Sequence, residues 1–272
     1  MTAATAVMMK ELRDAVRSRW LAAFAVAFAL VALALAGLQQ DGDIGAQGFN
    51  RTTAGLINLA LLLVPMLALA MGAGAVAGER DRGTLTTLLA QPLTATELLL
   101  SKYAGLSLAI WMTVVLGFGA AGFLVALVSP IQDFGGYLLF IVLAGGLASA
   151  TLSLGVLISV VSEGRTKAVA IAMLAWFVVV IFYQLVAIGI ALTIAPSGGA
   201  LVLAAVLNPV EAIRILAVLS LEPDLRVLGP LGAYLHTEFG VGGSALLLGG
   251  ATFAWAAVPL ASAVVIFRRQ DI

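Results

Sequence analysis

Residues 136–160 read GYLLFIVLAGGLASATLSLGVLISV, twenty-five positions without one Asp, Glu, Lys, Arg or His. A helix needs about 20 residues at 1.5 Å each to cross the roughly 30 Å hydrocarbon core of a bilayer, so this run spans one. Five further runs of the same kind lie at about 20–38, 56–77, 103–128, 168–194 and 246–267. Composition agrees: 62% hydrophobic, 10% charged and a mean hydropathy of +1.13 leave no soluble core large enough to hide these residues. The expected fold is all-α, a single polytopic membrane domain over 1–272 with six transmembrane helices.

Charge orients the spans. Lys10, Arg13, Arg17, Arg19, Arg80, Arg82, Lys102, Arg165, Lys167, Arg268 and Arg269 fall on one side, and only Arg51, Arg214 and Arg226 on the other. The positive-inside rule then makes both termini cytoplasmic, in a cell inner membrane. Net charge is zero, with no basic stripe, which argues against a nucleic-acid partner. The absence of cysteine excludes disulfides, thiolate metal sites and dithiol chemistry.

Ahead of the first run, Met9, Leu12, Val16 and Trp20 recur at helical spacing, while Lys10, Glu11, Arg13, Asp14 and Arg17 take the other face. Residues 1–19 therefore predict an amphipathic helix on the inner membrane surface. A signal peptide ending near Ala34-Leu35-Ala36 is the competing reading, but the apolar run is longer than a signal core and its leader is too patterned.

The segment 78–102 is the most informative polar stretch. Glu79, Arg80 and Arg82 precede Gly83 and Thr84, and Leu85, Leu88 and Leu89 give one helical turn an apolar face. Pro92 disfavours helix at Gln91, and Thr94-Ala95-Thr96-Glu97 has the form of a capping box. Two short helices around a break are expected, with the third span's helix starting in the cytoplasm. This is a good shape for docking in a groove of a soluble partner; an incidental reverse turn is the alternative.

On the outer side, only 195–245 is long enough for structure of its own. Asn208 is placed as an N-cap, Pro209 as the first helical residue and Glu211 as an acid near the positive helix end, with Arg214 one turn on. A helix lying on the outer surface is expected, ended by Glu222-Pro223. It either receives an outer partner or merely covers spans five and six.

Other motifs carry less. Gly117-Phe118-Gly119-Ala120-Ala121-Gly122 has the letters of a dinucleotide fingerprint, but it sits mid-span without strand or acidic partner, so its glycines point to close helix approach. Gly145, Ser149 and Ser153 form a small-residue ridge for packing within or between subunits. Asn58 and Gln184 are placed to hydrogen-bond between helices. One His, at position 236, makes no metal site, and Met66 and Met71 lie on different helix faces. Intramembrane enzymes need a Ser-His pair or acidic metal ligands at membrane depth, and these are missing. A secondary transporter normally carries a buried ionisable group or unwound midplane helices.

The stretch from Gly78 to Lys102, with its charged cluster, Gly83-Thr84-Leu85, Leu88-Leu89 and Pro92, resembles the signature of ABC-2 type permeases. Leu207-Asn208-Pro209-Val210-Glu211-Ala212-Ile213-Arg214-Ile215 and the terminal Ile266-Phe267-Arg268-Arg269 resemble, within that family, the permeases serving nitrous-oxide reductase maturation. The likeness implies a homodimer of non-catalytic subunits driven by a separate ABC ATPase subunit, which carries the ATP and Mg. No G-x-x-x-x-G-K-[ST] phosphate loop occurs in this chain, which agrees with a separate ATPase. It further implies that Glu79, Arg80, Arg82, Gly83, Thr84, Leu85, Leu88 and Leu89 couple to the ATPase, and that a periplasmic accessory protein meets Asn208, Pro209, Glu211 and Arg214. An exporter of a drug, lipid or other hydrophobic substrate is the alternative. The uniformly apolar spans suit a lipid-like or sulfur-containing cargo, or a mechanical role in which no solute crosses.

Overall fold

The computed structural model describes residues 3–18, 51–90, 92–128, 134–193, 197–221 and 228–270, with isolated positions at 23, 26, 27 and 30. The expected first span, about 20–38, therefore falls largely outside the described residues. The elements are α1 (Ala3–Val16), α2 (Arg51–Gly74), α3 (Ala77–Asp81), α4 (Leu85–Leu89), α5 (Ala95–Val128), α6 (Phe134–Val161), α7 (Arg165–Trp176), a π-helical segment (Phe177–Phe182), α8 (Tyr183–Thr193), α9 (Gly198–Val206), α10 (Pro209–Leu221), α11 (Gly229–Glu238) and α12 (Gly240–Arg268). No strand occurs among the described residues.

Among the described residues, five helical stretches are long and apolar enough to cross a bilayer: Ile57–Gly74, Ala95–Phe123, Phe134–Val161, Arg165–Ile190 and Gly240–Arg268. The chain is thus an all-α polytopic membrane protein. Its outward surface is what lipid requires, with Leu246 80%, Phe253 73% and Leu116 69% exposed.

At the centre stands α6, which packs on α2, α5, α10 and α12. Its contact with α2 is made at backbone distance. A Cβ on Gly72 would sit 2.6 Å from the Leu152 carbonyl oxygen, and one on Gly155 would sit 2.7 Å from that of Leu69. Glycine at both positions is what lets the helices touch, because lipid supplies no hydrophobic drive and association rests on close packing. The ridge read in span four works inside the subunit: Gly145 abuts the Trp111 ring, the Trp111 indole donates to Ser149 Oγ (2.9 Å), and Ser153 Oγ donates to the Trp255 carbonyl (2.9 Å). The expected close approach in span three occurs at Gly122, where a Cβ would lie 2.8 Å from the Tyr137 ring.

α1 departs from its expected face. Val7 and Ala15 are buried and Glu11 is half-buried, while Met9 and Val16 are exposed. The reason is Gly105 of α5: a Cβ there would meet the Met8 carbonyl oxygen at 2.5 Å and Glu11 Cβ at 2.9 Å, so the backbone of α1 at Met8–Leu12 lies directly against α5. Met9 and Val16 are left for the membrane.

The larger correction is on the outer side. α9 and α10 meet at 112°, and α10 lies within the bundle, with Ala212, Ile213, Ile215 and Ala217 at most 1% exposed against α6, α12 and α2. Its elbow is at mid-depth: the Trp255 indole, halfway along α12, donates to the Val206 carbonyl at 3.1 Å, and Asn208 Nδ2 donates at 2.8 Å to the Val179 carbonyl, halfway along span five. The helix beginning at Pro209 is therefore not the outer-surface helix the sequence suggested. Its run of apolar residues is interior because the sharp bend returns the chain into the protein. The stop at Glu222-Pro223 lies outside the described residues, although α10 does end at Leu221.

Candidate functional site: the turn between two spans and its ionic anchor

The link between spans two and three is built from backbone chemistry first. α2 ends at Gly74, and the amides of Val76 and Ala77 donate to Ser159 Oγ of α6, both at 2.9 Å, which satisfies groups that the start of α3 would otherwise leave open. At the far end of α3, Gly83 has φ +68°, its amide donates to the Arg80 carbonyl (3.1 Å), and the Thr84 amide donates to that of Glu79 (3.0 Å). This pair of bonds is a Schellman motif, whose left-handed residue favours glycine. Gly83 thus makes a tight turn from α3 into α4.

The capping box closes the other end. The Thr94 amide donates to Glu97 Oε2 at 2.8 Å and the Glu97 amide returns to Thr94 Oγ1 at 3.2 Å, one residue ahead of α5. Two short helices and an early start to the third span are therefore present as read. Gln91 lies outside the described residues.

Beneath the turn is a buried ionic cluster. Lys102 of α5, whose side chain is 2% exposed, binds Glu11 of α1 at 2.5 Å and Glu79 of α3 at 3.3 Å. Lys10 reaches the same Glu79 oxygen at 3.3 Å, and Arg82 comes within 3.6 Å. Burial alone pushes the Glu79 carboxyl up. The Thr84 hydroxyl, which donates to it, and the Lys102 and Lys10 ammonium groups outweigh burial and hold it down at about 2. For Lys10, burial works against the charged form, but Glu11, Glu79 and Asp14 raise its pKa overall.

Further bonds tie the turn to every other span base described. Arg80 donates to the Ser162 carbonyl at the end of α6 and to Gln270 Oε1 beyond α12 at 3.0 Å, and Gln270 Nε2 donates to the Val160 carbonyl at 3.0 Å. Asp81 Oδ2 accepts the Arg165 amide at the start of α7, at 2.8 Å. The turn is thus bonded to α1, α5, α6, α7 and α12 together.

These contacts re-sort the candidate residues. Leu85 is only 3% exposed and Leu88 packs on the same core, so the apolar face of α4 is turned into the protein. That corrects the expectation that the leucines form the docking face; the side chain of Leu89 lies outside the described residues. Glu79 and Arg80 are anchors rather than contact residues. Arg82, Gly83, Thr84, Thr86 and Thr87 are the exposed residues of the turn. Glu163 and Lys167 pair with each other at 3.0 Å on the surface nearby.

The outer candidates hold together but face inward. Asn208 Oδ1 accepts the Val210 and Glu211 amides at 2.9 and 3.4 Å, and Pro209 opens α10, so the N-cap reading is correct. Glu211 and Arg214 form an ion pair at 2.9 Å, with side chains 13% and 25% exposed. Asn208 is buried as well. None of the four presents itself to an outer partner.

Sequence reasoning missed Glu11, Ser159, Asp81 and Gln270 as members of the site. The partners that bring them into the site lie 82 to 190 residues away in the chain, so no local spacing announces them. No cluster of His, Cys, Asp and Glu suited to a metal ion occurs among the described residues.

The profile of the ABC-2 family transporter protein matches residues 5–272. The chain is also 32% identical over 278 residues to the probable ABC transporter permease protein NosY of Stutzerimonas stutzeri, covering 97% of each chain. A second probable NosY permease, from Pseudomonas aeruginosa, is 31% identical over 274 residues, with 98% of each covered. A six-run hydropathy pattern, a latched turn between two spans and a match over residues 5–272 converge on one assignment: the chain belongs to the ABC-2 family of transporter proteins.

Proposed function

We propose that this chain is the permease subunit of an inner-membrane ABC transporter, that two copies pair, and that each receives the motion of a separate ATPase at the turn of residues 82–87. The single observation that carries this reading is the anchoring of the exposed turn, through Glu79, Arg80 and Asp81, to the bases of several spans at once. Both termini and the turn lie in the cytoplasm, and ATP and Mg belong to the ATPase. This chain supplies no catalytic residue of its own. Likeness to the NosY permeases extends the proposal to nitrous-oxide reductase maturation, with a periplasmic accessory protein on the outer side. Because α10 is interior, outer contact falls to α11, where His236, Thr237 and Glu238 are exposed. An exporter of a hydrophobic substrate remains the second reading, favoured by the apolar spans.

The test is Thr86→Glu combined with Thr87→Glu, which places two charges on the exposed face and leaves Leu85 and the ion cluster intact. ATPase co-purification and ATP turnover of the detergent-solubilised complex should both fall at least about tenfold, the equivalent of 1.4 kcal/mol of lost binding. Wild-type values for both would remove the turn from coupling.

A further inference from the structure

Between α2, the π segment, α8 and the start of α10 lies a cavity of about 280 Å³. Its walls are chiefly apolar, including Leu61, Val180 and Val210, but it is also lined by the Glu211–Arg214 pair. Arg214 Nε is buried and bonds to nothing. A guanidinium N–H left open in such a place is costly unless an acceptor arrives. The mouth is lateral: Asn58 and Leu185 on its rim are exposed, between spans two and five.

Depth and charge narrow the occupant. Asn58 is seven residues inside the outer end of α2 at Arg51, which is about 10 Å at 1.5 Å per residue. The deeper wall, at Val179 and Asn208, is at mid-depth, so the cavity runs through the outer half of the bilayer and opens toward its headgroup side. Glu211 neutralises Arg214, so the site offers no net positive charge to a phosphate or a fatty-acid anion. It does offer one strong donor beside apolar walls, which fits an uncharged carbonyl flanked by hydrocarbon.

We propose that this cavity is a lateral binding site for the acyl-ester region of an outer-leaflet glycerolipid, whose ester carbonyl accepts from Arg214 Nε while its chain lies along Leu61, Val180 and Val210. The site is built within one subunit, and its occupancy does not depend on an ATPase.

The experiment compares two lipids that differ only in that carbonyl. The full-length chain, in detergent with equal amounts of diacyl phosphatidylcholine and its ether-linked dialkyl counterpart, is passed over size exclusion and its retained lipid is measured by mass spectrometry. The diacyl form should be retained with about tenfold preference, the value of one hydrogen bond to a charged donor. Glu211→Gln with Arg214→Met, which removes the donor without stranding a charge, should abolish the preference; Val210→Phe, which fills the cavity, should do the same with the ion pair intact. Equal retention of the two lipids by the wild-type chain overturns the proposal, as does a preference that survives in either variant that still elutes as the folded protein. Since the chain has no cysteine, Gln184→Cys gives a second reading: a chain-to-chain disulfide in near-complete yield in nanodiscs would show the mouth closed by a second copy and also overturns it.

Discussion

Lys102 shows how much one side chain can commit in this protein. An ammonium group at 2% exposure is tolerable only because two carboxylates from two different elements converge on it. Lys102→Met strands Glu11 and Glu79 below the surface, and removing one partner of a buried ion cluster costs about 3–5 kcal/mol. The expected outcome is a lowered unfolding midpoint in detergent and accelerated proteolysis between residues 10 and 20 as α1 detaches. Glu79 adds a pH dependence whose sign follows from its depressed pKa. The unfolded carboxyl titrates near 4.5 and the folded one near 2, so its stabilisation is complete above 4.5 and is lost as pH falls through that window towards 2. In Glu79→Gln the acid limb of the stability curve between those values should flatten; an unchanged limb would assign the acid sensitivity to other carboxylates. Residue spacing alone did not disclose this cluster, since Glu11, Glu79 and Lys102 look in the sequence like ordinary solvated charges near span ends.

At the scale of elements, the same polar residue type can mean a cap or a joint, and Asn208 is both. Its side-chain oxygen caps α10 and its amide nitrogen bonds the Val179 carbonyl within the π segment. A π turn leaves backbone groups off the ordinary ladder, and such turns recur at functional sites. Two substitutions separate the roles. Asn208→Ser keeps an uncharged cap acceptor but is too short to reach Val179, costing about 1–3 kcal/mol for the unpaired carbonyl, whereas Asn208→Ala loses both and should cost about 1 kcal/mol more. Equal unfolding midpoints for the two variants would show that the cap contributes nothing. The cap itself was legible in Asn208-Pro209-Val210-Glu211, because capping is local chemistry. The inward placement of α10 was not, because a stripe of Ile213, Leu216 and Leu219 looks the same whether it covers a membrane surface or enters a bundle. The leucines of α4 illustrate the same limit: Leu85 and Leu88 announce one apolar face, but not whether that face meets a partner or the protein's own core.

For the whole molecule, hydropathy and charge carried most of the architecture, since lipid forbids unpaired backbone and so leaves helices as the form in which apolar runs of this length can cross. What they left open is how the helices meet, which here depends on Gly72 against Gly155 and on three indoles that each find an acceptor in another element: Trp111 on Ser149, Trp176 on Leu62 and Trp255 on Val206. Charge bias also predicts one orientation for the chain, and the absence of cysteine makes that prediction easy to test. Thr86→Cys and His236→Cys both place a thiol on an exposed residue, at opposite ends of the bundle. With 11 of the 14 basic residues on the side of Thr86, a membrane-impermeant maleimide should label His236→Cys in intact spheroplasts and label Thr86→Cys only after lysis. The reverse pattern would invert the orientation and move the exposed turn away from cytoplasmic ATP. Stoichiometry completes the test, because an ATPase pair closing on two nucleotides needs a permease turn on each side. Native mass spectrometry of the intact complex should therefore show two copies of this chain, and a single copy beside a different permease would leave the turn in place but end the homodimer.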